Sequence, residues 1–194
     1  MKKLIGPNKN RTAVFISGTG SNLKNLIKFS YKKKSPISIE LVISNKRKAK
    51  GLNFAKKNKI ENKIINFKKP KNAEKKILHI LSKKKIKLIC LAGFMIILSR
   101  NFLKNFRGKI LNIHPSLLPK YKGLNTHKKV LARNEKFSGC TVHYVTSKLD
   151  SGKIILQKKI RIKSTDTEKK LKKRILNEEH KLYPKAINKI LTSF

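Results

Sequence analysis

Short apolar runs alternate with helix-like segments along the first half of the chain, and this alternation restricts the fold more than any other feature. Residues 12–17 read as a buried strand, 18–21 as a tight loop and 22–32 as a helix. Residues 37–44, 63–67, 88–92 and 109–113 read as further strands, with helices expected over 49–59, 73–84 and 99–106. Strands exchanged with helices predict an α/β fold: a Rossmann-like, mostly parallel sheet with helices on both faces. The pattern changes after Pro115. A Pro-rich loop and a helix over 126–133 precede two longer strands, 139–146 and 153–161, expected to pair antiparallel. The tail over 167–191 is helical in character, and Pro184 is expected to kink or interrupt it.

The chain has 194 residues, enough for one compact domain with a sizeable core. A single domain over 1–194 is expected, with a polar extension over 1–11. Fifty Lys and Arg against nine Asp and Glu give a formal charge of +41, which favours anionic ligands. Only seven of the fifty are Arg, and the lysines are scattered over nearly every segment. A nucleic-acid binder concentrates Arg and aromatic residues on one face, so no specific nucleic-acid partner is expected. Cys90 and Cys140 stand far apart and suggest no disulfide framework. Cys140 and His143 form a C-x-x-H without a second ligand pair, so no metal is expected. The N-terminus lacks a signal-peptide apolar region and no eighteen-residue apolar span follows, which predicts a soluble cytoplasmic protein.

Four stretches could carry chemistry. Gly18 and Gly20 lie in a turn between a strand and a helix, where backbone N–H groups at the positive helix end suit a phosphate. They fit two glycines of a dinucleotide fingerprint, but Leu23 stands at the third position and no acidic residue follows the second strand. Such a turn also serves as an ordinary connection; Ser21 and Asn22, with side-chain donors, tilt the reading toward a monophosphate. Asn112 and His114 end a predicted central strand and, being two apart, share one face. An amide donor beside an imidazole suits acyl transfer, one stabilising an oxyanion and the other handling a proton. A histidine that merely satisfies local backbone groups would have the same spacing. Residues 149–152 read Leu-Asp-Ser-Gly, a turn in its own right; folded over the sheet edge, Asp150 would reach His114 and raise its pKa. Glu178 and Glu179 are adjacent carboxylates in a chain poor in acids, suited to a substrate ammonium or, more commonly, to surface ion pairs.

Taken in order, Ser-Gly-Thr-Gly-Ser-Asn-Leu at 17–23, Leu-Ala-Gly-Phe-Met at 91–95, Asn-Ile-His-Pro-Ser-Leu-Leu-Pro at 112–119 and Leu-Asp-Ser-Gly at 149–152 resemble the phosphoribosylglycinamide formyltransferase family. The resemblance runs from about residue 12 to residue 184. It implies a formyltransferase fold with a phosphate-binding half over about 12–110 and a folate and catalytic half over about 111–194. The implied reaction passes a formyl group from 10-formyltetrahydrofolate, as co-substrate, to the amine of N1-(5-phospho-D-ribosyl)glycinamide, in purine (IMP) biosynthesis. Gly20, Ser21 and Asn22 match the phosphate loop, and Glu179 matches the acidic residue at the acceptor's glycinamide end. Asn112, His114 and Asp150 match the catalytic amide, imidazole and carboxylate; Asp150 would keep His114 basic and order a water. Met95, Ile96, Ile97 and Leu98, with Asn112, Thr146 and Asp150, match segments around the folate. A monomer or homodimer without a metal or a membrane partner is implied.

Ile96 and Asn125 depart from the family's usual basic residue and His, and residues 68–71, Lys-Lys-Pro-Lys, offer no Arg for the acceptor. Methionyl-tRNA formyltransferase and formyltetrahydrofolate hydrolase share the chemistry, but the former carries a further C-terminal domain and the latter an N-terminal one. A non-catalytic basic nucleic-acid-binding protein would account for the charge and leave the spacing of Asn112, His114 and Asp150 as coincidence.

Overall fold

The computed structural model describes residues 9–192, so most of the polar extension expected over 1–11 lies outside the described residues. Seven strands alternate with six helices among them: β1 (Asn10–Ile16), α1 (Ser21–Ser30), β2 (Ile37–Ser44), α2 (Leu52–Lys57), β3 (Glu61–Ile64), α3 (Pro70–Lys83), β4 (Leu88–Leu91), α4 (Arg100–Asn105), β5 (Lys109–His114), α5 (Thr126–Ala132), β6 (Phe137–Tyr144), β7 (Ile154–Arg161) and α6 (Glu168–Thr192). The strand order is β3-β2-β1-β4-β5-β6-β7. β1 pairs parallel with β2 and β4, β2 parallel with β3, and β6 antiparallel with β7. The expected α/β class, mostly parallel with antiparallel late strands, is what the chain adopts. It divides into two compact units, one ending at Leu111 and the other beginning at Asn112.

In the first unit β1 has neighbours on both edges, and Ala13, Val14, Phe15 and Ile16 are fully buried. A central parallel strand covered on both faces needs such a continuous apolar run. β2 and β4 flank β1, so successive strands leave it in opposite directions, and in open α/β sheets ligands sit at the carboxyl ends around such a point. β3 is shorter and earlier than expected from Ile65 and Phe67. Only Glu61–Ile64 pair with β2, and three of these four are exposed, as suits an edge strand. Ile65 is buried just past the strand end, so its hydrophobicity reports burial and not strand extent. α3 starts three residues before the expected position because Pro70 fits the first helical turn, where its missing N–H has no intrahelical partner anyway.

In the second unit α6 packs on β6 and β7, burying Leu171, Ile175, Tyr183, Ala186 and Ile187. The expected interruption at Pro184 does not occur; α6 runs 25 residues without a break. Pro184 removes the N–H that would bond the His180 carbonyl, a loss of about 3 kcal/mol in a free helix. Burial of Tyr183, Ala186 and Ile187 around it outweighs this, at roughly 1.5–3 kcal/mol for each large side chain. β7 is the last strand in the order, and exposed Lys158 and Lys159 protect that edge from pairing.

Candidate active site

The end of β1 turns through Ser17 and Gly18 into Gly20, which precedes α1 at φ 74°. That conformation favours glycine, and close packing requires it as well: a Cβ on Gly20 would lie 2.5 Å from the Gly51 Cα. A Cβ on Gly51 would in turn lie 2.7 Å from the Ile16 side chain, so the two glycines cross where no side chain fits. The Gly51 N–H donates to the Gly18 carbonyl at 3.0 Å. No side chain caps α1 and its first turn holds no acid, which leaves the positive helix end uncompensated beside Ser21 and Asn22. Asn22 is buried and Ser21 half-buried.

The end of β4 is tied to the same turn. The Ser17 N–H donates to the Gly93 carbonyl at 3.0 Å, and the Ser17 hydroxyl accepts from the Met95 N–H at 2.8 Å while donating to Asn45 at 2.6 Å. Phe94 packs edge-on against Phe15 and Phe67. Of the four residues from 95 to 98, Leu98 is buried and Ile96 half-buried, whereas Met95 and Ile97 are 57% and 66% exposed. The two exposed apolar side chains lie in the segment that follows β4.

The second unit brings Asn112, His114 and Asp150 together. His114 Nδ1 lies 3.3 Å from Asp150 Oδ2, and Asn112 Nδ2 lies 3.4 Å from Asp150 Oδ1. Asp150 is delivered by the turn before β7, at φ 44°, and Gly152 permits that turn because a Cβ there would overlap the Tyr144 carbonyl. Thr146, in the same loop, is exposed, and its hydroxyl donates to the Lys148 carbonyl. His114 Nε2 donates to the Tyr121 carbonyl at 2.8 Å, so both ring nitrogens face acceptors, an arrangement that suits the imidazolium form. Burial opposes it. The imidazole lies below its ordinary value because desolvation disfavours the cation, and the Tyr121 carbonyl and Asp150 offset only part of that. Asp150 therefore acts in the expected direction, but the expected net rise does not occur. The Asp150 carboxyl is raised by burial but ends below its ordinary value, because His143, the Gly123 N–H at 2.9 Å and His114 together stabilise the anion.

His143 completes the cluster. Its Nδ1 donates to the Tyr144 carbonyl at 2.8 Å, and its Nε2 lies 3.3 Å from Asn112 Nδ2 and 3.6 Å from Asp150 Oδ1. Beyond its place in a C-x-x-H, sequence reading gives His143 no role. All of β6 from Ser138 to His143 is buried, so alternation does not say which way each side chain faces, and the β6-β7 register shifts between Val142 and His143. The loop after β5 is stapled in place. Thr141 Oγ1 donates to the Ser116 carbonyl and accepts from the Leu118 N–H, while Gln157 donates to the Leu118 carbonyl.

Glu179 lies buried on α6, close enough to Cys140 to help push that thiol up to about 12, chiefly through burial. Its neighbour Glu178 pairs with Lys181 at the surface. Among the described residues no group of three or more His, Cys, Asp or Glu could hold a metal ion, and no helix is long and apolar enough to cross a membrane.

An open α/β sheet that gathers a half-buried amide, a buried imidazole and a buried carboxylate at the end of β5 defines an enzyme-like site of the acyl-transfer type. The chain belongs to the formyl transferase family, whose profile matches residues 10–187. It is 40% identical over 180 residues to the phosphoribosylglycinamide formyltransferase of Haemophilus influenzae, covering 91% of this chain and 85% of that protein. It is 43% identical over 186 residues to the trifunctional purine biosynthetic protein adenosine-3 of Gallus gallus, covering 94% of this chain and 18% of that protein. Among solved structures, the phosphoribosylglycinamide formyltransferase of Brucella melitensis matches with a TM-score of 0.90 at 40% identity, over 96% of this chain and 97% of that one.

Proposed function

We propose that this chain transfers a formyl group from 10-formyltetrahydrofolate to the amine of N1-(5-phospho-D-ribosyl)glycinamide, a step of purine biosynthesis. The observation that carries the reading is the convergence of Asn112, His114 and Asp150 in a member of this family. Gly20, Ser21 and Asn22 bind the acceptor's phosphate through the uncompensated end of α1, and Glu179 contacts its glycinamide end. Met95, Ile96, Ile97 and Leu98, with Thr146 and Asp150, hold the folate, for which the exposed side chains of Met95 and Ile97 provide an apolar surface.

Bound 10-formyltetrahydrofolate supplies the formyl carbon that the acceptor's neutral amine attacks. Asn112 supports the charge that builds on the formyl oxygen: its N–H groups are held only by long contacts of 3.3 and 3.4 Å, which a stronger acceptor can take over. His114, when protonated, places its positive charge beside the same oxygen, and Asp150 on its Nδ1 side stabilises that charge. A proton leaves the attacking nitrogen and one arrives at the departing N10, passed through a water held by His114 and Asp150. Side-chain donors and proximity account for this chemistry, with neither a metal nor a covalent enzyme intermediate. The same reading places the chain in the cytoplasm as a monomer or homodimer.

The test compares glycinamide ribonucleotide, methionyl-tRNA and water as acceptors at one concentration of the folate. Turnover confined to the ribonucleotide and persisting at moderate salt is the expected result. Transfer to tRNA or release of formate would move the acceptor, and nucleic-acid binding without turnover would overturn the enzymatic reading.

A further inference from the structure

His114 and Asp150 each take one contact from the same short turn, the carbonyl of Tyr121 and the N–H of Gly123. That turn is not a default conformation. Tyr121 has φ 57°, a left-handed value that a residue with a Cβ adopts only when its surroundings hold it there, at a cost of about 1–2 kcal/mol. The stapling by Thr141 and Gln157 reaches residues 116 to 118 and, through the Ser116 hydroxyl, the Lys120 carbonyl, but not Tyr121 itself.

Tyr121 is held by its side chain. Its phenol donates to Glu135 Oε1 at 2.7 Å, and the Arg133 guanidinium lies over its ring at 5.5 Å. Glu135 follows α5 and is anchored by its own N–H to the Val130 carbonyl at 3.2 Å. Lys120 Nζ reaches the same carboxylate oxygen at 3.1 Å, and the two donors hold the Glu135 carboxyl below its ordinary value, so it stays an acceptor through the neutral range. Glu135 touches neither His114 nor Asp150.

We infer that Glu135 is a positioning residue: by accepting the Tyr121 phenol it holds the 121–123 turn that presents the Tyr121 carbonyl to His114 and the Gly123 N–H to Asp150. This rests on the reading of His114 and Asp150 as reacting groups. Loss of the phenol contact releases the turn toward ordinary dihedrals, and His114 loses its shortest hydrogen bond. The groups facing His114 are then Asp150 from the turn before β7, His143 from β6, and Lys129 and His127 from α5.

Three variants test it: Tyr121→Phe, which deletes one oxygen from a half-buried ring, Glu135→Ala, and Glu135→Gln, which keeps a carbonyl acceptor. The first two are expected to lower kcat roughly tenfold to a hundredfold with the acceptor KM little changed, as small misplacements of reacting groups do. Glu135→Gln should recover most of the loss, and Tyr121→Phe combined with Glu135→Ala should be no worse than the poorer single variant, because both remove one interaction. The His114 imidazole, followed by NMR, should titrate at lower pH in both single-loss variants, since the Tyr121 carbonyl raises its pKa. Unchanged kcat, or losses that multiply, would overturn the inference. If the parent chain transfers formyl to no acceptor, the proposed function fails, and the imidazole titration alone decides: a common downward shift upholds the latch and an unchanged midpoint overturns it.

Discussion

The turn at Gly18 to Asn22 and the cluster at Asn112, His114, His143 and Asp150 are two candidate binding regions built by opposite means. The first is made of backbone: Gly20 and Gly51 cross at a spacing that excludes a Cβ, and the helix end behind them supplies the charge. The second is made of side chains, each held by at least one other, drawn from β5, β6 and the turn before β7. A region shaped by backbone tolerates no added atom where its chains cross, at Gly20 and Gly51, but little depends on any one polar group; a side-chain network depends on each donor and acceptor. Substitutions in the two regions should therefore fail differently, one in stability and the other in turnover.

The largest effect is expected in the second region. His114→Ala and Asp150→Ala should each lower kcat by about 10² to 10⁴-fold while the chain still folds. Near-normal turnover in either would sink the assignment. Gly20→Ala should break the first region through stability, at about 2–5 kcal/mol, because it adds left-handed strain to a contact of 2.5 Å. Gly18→Ala is its counterpart, with nothing within 4 Å of the added atom, and should melt as the parent does. Equal effects at the two positions in denaturant titrations would remove the argument for the crossing.

A smaller effect distinguishes members of the network. His143→Ala removes one polar neighbour of Asn112 and Asp150 and should cost roughly tenfold in kcat, the equivalent of one hydrogen bond. Should it match His114→Ala, then His143 is a reacting group and not a support. The smallest effect concerns pH. His114, His127 and His180 all lie below the ordinary histidine value of 6.5, each chiefly through burial. As pH falls below 6.5 the unfolded chain takes up these protons before the folded chain does, so stability declines from there toward the lowered values. Asp150 works in a lower window: its contribution is present above 3.8 and is lost as pH falls through its lowered value. Melting temperature should thus drop by a few degrees between about pH 7.5 and 5.5, and less in His127→Gln. A flat profile would show that the folded chain accommodates the charged imidazoles.

Much of this was legible from one dimension because its physics is local. The buried run of β1, the glycines after it, and Asn112 two residues before His114 all follow from side-chain periodicity and backbone freedom within a few positions. Asp150 could be placed in a turn, but its meeting with His114 depends on two segments far apart in the chain, so sequence reading offered it only on condition that the loop folds over the sheet edge. His143 was hidden in a strand buried throughout, where alternation carries no information and a register shift sets the direction. The interruption expected at Pro184 fails for the same reason in reverse: a local rule for helix breaking is outweighed by packing of α6 on β6 and β7.

By itself, then, the amino-acid order determined the α/β class, the strand that carries the imidazole and the turn that carries the glycines, because hydrophobic period and φ freedom act between near neighbours. The tertiary structure alone decided that the Tyr121 carbonyl and Asp150 sit on opposite sides of His114, that burial and not Asp150 governs its pKa, and that Glu135 holds the turn between them. Those outcomes depend on desolvation and on distances of about 3 Å between remote segments, and both come into being only when the chain has packed.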